Sequence, residues 1–118
     1  MNGLSSVQMA NINSQYRTKL TPGEHLVLAE HLYGFMEAME HNGLLLAQLN
    51  WDEWYQHSYL VDRPDYIGDA SFYECQLLLT AMARLERFSP GVLNNMRRQG
   101  VLIAIVDRLT QLSYQVAV

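Results

Sequence analysis

A helix signature in the second half of the chain constrains the fold more than any other feature. Ser71-Phe72-Tyr73-Glu74 sets a capping serine three residues ahead of a glutamate, the spacing at which each side chain satisfies a backbone N–H at the helix start. Behind it Cys75, Leu78, Leu79, Met82 and Leu85 recur every three or four residues and so lie on one stripe of an α-helix. A stripe of that width has to be buried against neighbouring elements, and the neighbours also read as helices.

Thr21-Pro22-Gly23-Glu24 has the same capping logic, with proline at the first helical position, and predicts a helix from there to Asn42-Gly43. Leu28, Leu32, Phe35 and Met39 would form its core row and Leu26, Ala29, Tyr33 and Met36 the adjacent one, with Glu30, Glu37 and His41 turned away. Leu44 to Leu49 reads as a short helix or a buried connector. Asn50-Trp51-Asp52-Glu53 opens a helix to about Tyr59, and Asp62-Arg63-Pro64-Asp65 is a turn. Ser89-Pro90 begins a short helix that stops at Gln99-Gly100. In the last element Val101, Ile103, Ile105 and Val106 are β-branched and would suit a strand. Leu102, Ile105, Val106, Leu109 and Leu112 nevertheless keep helical spacing, and no second strand is available for pairing. The expected fold is therefore all-α, a single compact orthogonal bundle of about five short helices over residues 21–118. Residues 1–20 are polar, lack a firm period, and read as an N-terminal arm or one short helix.

With 118 residues, 49% of them hydrophobic, the chain suits one domain that folds without a metal or disulfide. The lone Cys75 can form no internal bridge, which together with the mixed composition of Met1 to Leu20 points to the cytoplasm. Apolar runs such as Val101 to Val106 fall far short of the roughly 20 residues that span a bilayer, so no membrane partner is expected.

Charge is unevenly placed. Between Glu24 and Glu74 ten acids face Arg63 alone, whereas Arg84, Arg87, Arg97, Arg98 and Arg108 dominate the remainder of the chain. The acidic first half opposes phosphate attraction, so direct nucleic-acid binding is disfavoured despite the later arginines. No other chemistry has a seat in the sequence. Cys75 lies on a core stripe, where a thiol is inert. His25, His31, His41 and His57 fit no zinc spacing, and the seven glycines are scattered rather than gathered into a phosphate cradle. Neither metal nor cofactor is expected.

Aromatics are concentrated instead. Trp51, Trp54, Tyr55, Tyr59, Tyr66, Phe72 and Tyr73 fall close together among Asp52, Glu53, Asp62, Asp65 and Asp69. Trp51 and Phe72 are assigned to the core, while tyrosine and tryptophan with one wet end are what protein interfaces favour. Glu30, Glu37, Asp52, Glu53, Trp54, Tyr55, Tyr59, Asp62 and Asp65 are thus the expected partner-binding residues.

The string LLLTAMARLERFSPGVL at 77 to 93, followed by Gly100, Ile105-Val106 and Arg108-Leu109, resembles a family of small helical bacterial and archaeal domains of unknown function. Trp51 and Trp54 stand where such domains often carry a W-x-x-W, and Ser89 stands where they commonly show cysteine. The likeness runs from Pro64 onward, with the first 45 residues unmatched; it implies a helical fold and no known activity. Arg84, Glu86, Arg87, Phe88 and Gly91, in the R-x-E-R-F-x-x-G string, read as a structural motif in which Glu86 beside Arg87 holds the turn into Ser89-Pro90-Gly91.

These residues support two functional expectations. The first is a non-enzymatic module that binds another protein with a basic surface, in its specific form a phage or mobile-element inhibitor that shields a nucleic-acid-handling host protein, as anti-CRISPR proteins do. Self-association is left open. The alternative is a small enzyme or nucleic-acid-binding regulator built on Arg84, Glu86 and Arg87. The two readings differ in geometry, because the second needs these three side chains to converge on an open pocket.

Overall fold

Helix α5, Phe72–Phe88, is the centre of the computed structural model, which describes residues 5–116. Its capping box forms as the sequence predicts: Ser71 Oγ accepts the Glu74 N–H at 3.0 Å, and Glu74 Oε1 accepts the Ser71 N–H at 2.9 Å. Cys75, Leu77, Leu78, Leu79, Ala81 and Met82 are all buried, so the helix is apolar around most of its circumference in the middle. Such burial requires partners on several sides. They are α3 (Trp51–His57), α6 (Val92–Arg98) and α7 (Val101–Val116), each in contact with α5. Helix α7 packs in turn on α1 (Ser6–Leu20) and on a 3₁₀ segment, Pro64–Asp69, preceded by the single turn α4 (Tyr59–Asp62). Helix α2 (Ala29–His41) packs on α1 and α6.

The described residues form seven α-helices and no strand, where five helices were expected. The fold class stands, and a radius of gyration of 13.2 Å matches the roughly 13.5 Å of one compact domain of this length. One additional helix is α1, from the stretch read as an arm or one short helix. Ser5 caps it, and Met9, Ile12 and Leu20 enter the common core. Tyr16 ties it to α2, donating its hydroxyl to Gly34 O at 3.2 Å and meeting the Phe35 ring edge-on at 5.7 Å.

The second helix starts seven residues later than the Thr21 box predicts, at Ala29 rather than Pro22. Thr21 terminates α1 instead, giving both its N–H and its hydroxyl to Arg17 O, at 3.0 and 2.7 Å. The carbonyls of Thr21 and Gly23 accept from the Arg97 guanidinium, and Gly23 adopts a φ of 151°. A helix through Thr21 would need those carbonyls for its own backbone. As a consequence Leu26 and Leu28 stay exposed, while Leu32, Phe35, Met36 and Met39 form the buried face of α2. Leu44 to Leu49 is a connector without helix. The Leu46 N–H donates to Thr80 Oγ1 at 2.8 Å, and Arg84 donates to Ala47 O at 3.2 Å, so α5 holds it by side chains. The final segment is helical, as its spacing predicts over its β-branched content. Among the described residues no helix is long and apolar enough to cross a membrane.

Candidate functional site

The R-x-E-R-F-x-x-G string folds into a corner where α5 gives way to α6. Gly91, the residue before α6, has a φ of 108°, a conformation side chains with a Cβ rarely adopt. That turn leaves the first N–H groups of α6 without helical partners, and the Glu86 carboxylate accepts them. Its oxygens take the Gly91 N–H at 3.2 Å and the Leu93 N–H at 2.9 Å, and Oε2 also accepts the Tyr33 hydroxyl of α2 at 2.8 Å. One carboxylate therefore joins three helices. Glu86 is only 7% exposed, and burial alone would push its carboxyl up. The hydrogen bonds from Leu93, Tyr33 and the Gly91–Val92 backbone outweigh burial and hold it below the usual range, while the same contact raises Tyr33.

Glu86 holds the turn into Gly91, as expected, and its partners are backbone and phenol rather than Arg87. Arg84 is tied to the connector, and Arg87 is exposed with no hydrogen bond or ion pair among the described residues. Phe88 is 83% exposed and takes no part in the corner. The three charged residues do line adjoining hollows. One of about 350 Å³ between α2 and α5 is walled by Tyr33, Glu37, Glu40, Glu86 and Arg87 over Met36, Leu45, Ala83 and Leu93. A second of about 130 Å³ continues past Glu40 and Arg87 to Arg84 and Thr80. Glu86 is poorly suited to acid–base work there, because its oxygens are occupied and its depressed pKa makes it a weak base.

The aromatic and acidic residues gather at a different corner, α3, α4 and the 3₁₀ segment. Tyr55 is 70% exposed, and Tyr59, Tyr66 and Trp51 are exposed as well, alongside Asp52, Asp62 and Asp65. Glu30 and Glu37 are exposed on α2. Trp54, expected at the partner surface, is 8% exposed and belongs to the core, whereas Trp51, expected in the core, faces out. The phase of α3 decides this: the face meeting α5 carries Trp54, and Trp54, Met82 and Leu85 line one shared hollow. Phe72 is half-buried against the core. Glu53 is half-buried and accepts the Tyr73 hydroxyl at 3.1 Å. Asp65 is clasped by Arg63 at 3.1 and 3.3 Å, which holds its carboxyl low, and Arg63 stacks 4.4 Å over the Tyr66 ring.

Most of the arginines that would make a basic face are occupied internally. Buried Arg97 holds the Thr21–Gly23 loop and Asn94, Arg108 donates to Ala70 O at 2.7 Å, and Arg17 pairs with Asp107 at 2.8 Å. Sequence reasoning missed the buried role of Arg97, which it counted with Arg98 only among the arginines of the later half. Among the described residues no three His, Cys, Asp or Glu side chains are grouped to hold a metal. His57 Nδ1 lies 3.1 Å from Glu74 Oε2 but is not aligned for a hydrogen bond. Cys75 is buried, and its thiol is pushed up to about 12, chiefly by burial.

The family model of DUF6508, a family of unknown function, matches residues 11–115. The chain belongs to that family. The match begins well upstream of Pro64 and takes in most of α1 and all of α2, within the first 45 residues where the sequence alone showed no likeness. This DUF6508 chain matches no curated protein and no solved structure.

Proposed function

We propose that this DUF6508 chain is a protein-binding module without chemistry of its own, and that it meets its partner through the α3–α4 corner. The observation that carries the reading is the exposure of Tyr55, Tyr59, Tyr66 and Trp51 beside Asp52 and Asp62, which form no ion pair among the described residues. Large aromatic surface left in water gains most from being covered by another protein, and acids around it favour a basic partner and speed its approach. Arg63 neutralises Asp65, so Asp52, Glu53, Asp62 and Asp69 carry that field at this corner. The second reading, an enzyme on Arg84, Glu86 and Arg87, is disfavoured by the occupied carboxylate of Glu86.

Affinity capture from a source lysate with the wild type and with a Tyr55→Ser/Tyr59→Ser variant tests the proposal. A protein retained by the first and lost by the second, at equal melting temperature, is the expected result. Equal retention, or none, removes the corner as an interface. The narrower form, an inhibitor from a mobile element that shields a nucleic-acid-handling protein, further predicts that the captured protein has a basic surface and loses nucleic-acid binding in the complex.

A further inference from the structure

The hollow between α2 and α5 has features that the protein-binding reading does not use. Glu37 and Glu40, one turn apart on α2, stand on one wall, and Arg87 of α5 stands on the other. Opposite charges that share a cavity of about 350 Å³ would be expected to close on each other, yet no ion pair within 4.0 Å joins them among the described residues. Between them lies an apolar floor of Met36, Leu45, Ala83 and Leu93. Glu86 stays ionised but offers a ligand no free acceptor, because its oxygens face the α6 backbone and Tyr33. The rigid corner it builds fixes one end of the hollow, and Arg84 waits beyond the other end in the adjoining cavity.

We infer that this hollow is a binding site for a small zwitterion of dipeptide size with an apolar side chain. An ammonium placed between Glu37 and Glu40 would offset one of their two charges, and a carboxylate on the Arg87 fork would neutralise the other wall, with the side chain on the floor. A cavity near 350 Å³ is at the small end of ligand sites, which suits a ligand of that size better than a folded partner. Guanidinium and carboxylate match as a two-pronged pair, so the carboxylate end should contribute most to orientation. Affinity should come from both charges and the floor together.

The test is a titration of the full chain, followed by NMR of its backbone amides, with leucyl-leucine as the probe. Saturable shifts around Tyr33, Ala83 and Leu93 are expected, with glycylglycine binding more weakly because it leaves the floor uncovered. Acetylating the amine or amidating the acid should each weaken leucyl-leucine by about tenfold, the loss of roughly one charge-assisted contact. In Arg87→Gln the free acid and the amide should bind alike, and in Glu37→Gln/Glu40→Gln the free and acetylated amines should bind alike. These side chains are exposed, so the melting temperatures should match the wild type. The inference is overturned if leucyl-leucine gives no saturable shift or if capping either end changes nothing. It is equally overturned if a doubly capped lysyl-leucyl-glutamyl tripeptide binds more tightly, which would assign the hollow to a segment of a partner protein. None of these outcomes involves the α3–α4 corner, so the protein-binding proposal stands or falls separately.

Discussion

Replacing Glu86 by alanine should damage this fold more than removing any surface acid, and the size of the loss follows from its contacts. The substitution deprives three donors of their acceptor: the N–H groups of Gly91 and Leu93 and the Tyr33 hydroxyl. The Leu93 contact is buried, and a buried donor left without a partner costs about 1–3 kcal/mol. The other two are part-buried, and water can replace the carboxylate there, so they add about 1 kcal/mol, the usual worth of a helix cap. A total of about 3 kcal/mol corresponds to a fall of about 10 °C in Tm for a domain of this size. Urea unfolding at pH 7 measures it directly. The Glu86 carboxyl is held below its usual range, so its ionised form stabilises the fold above the unfolded carboxylate range near pH 4.3. That contribution is lost as pH falls through the depressed folded value, and the gap between wild type and Glu86→Gln should narrow in acid. A loss under about 0.5 kcal/mol for Glu86→Ala at pH 7 would refute the role assigned to this carboxylate.

The same kinds of contact set three further outcomes. Gly91→Ala should cost about 1–2 kcal/mol, because φ is 108° although a Cβ would meet no atom within 4 Å; unchanged stability would show that the turn relaxes freely. Arg97→Met should release the Thr21–Gly23 loop and raise hydrogen exchange at residues 23–27 while α5 stays protected, with a loss of about 2–4 kcal/mol in urea unfolding. Cys75 should react with thiol reagents only at the rate of unfolding, since its thiol is buried and pushed up to about 12; labelling of the folded chain within minutes at pH 8 would contradict that burial.

Chain-local interactions make several elements legible from sequence spacing alone. The Ser71–Glu74 box closes over three residues, and the α5 stripe and the α7 period repeat within a turn or two, so neighbours along the chain suffice to specify them. The all-helical class follows from the same local terms. Tertiary structure decided what depends on distant residues. Thr21 has every local mark of a helix start, yet Arg97, 76 residues further on, takes its carbonyl and the helix begins at Ala29. Seven residues of α3 are too few to fix a helical phase by pattern, so only packing on α5 chose Trp54 for the core and left Trp51 outside. In α1 the apolar residues are too sparse to announce a buried face, and the helix is recruited by α7 and α2. The Glu86 corner is partly local, through Gly91 and Leu93 a few residues away. Its third partner, Tyr33, lies 53 residues earlier, and the opposed walls of Glu37 and Arg87 exist only once α2 and α5 have packed beside one another.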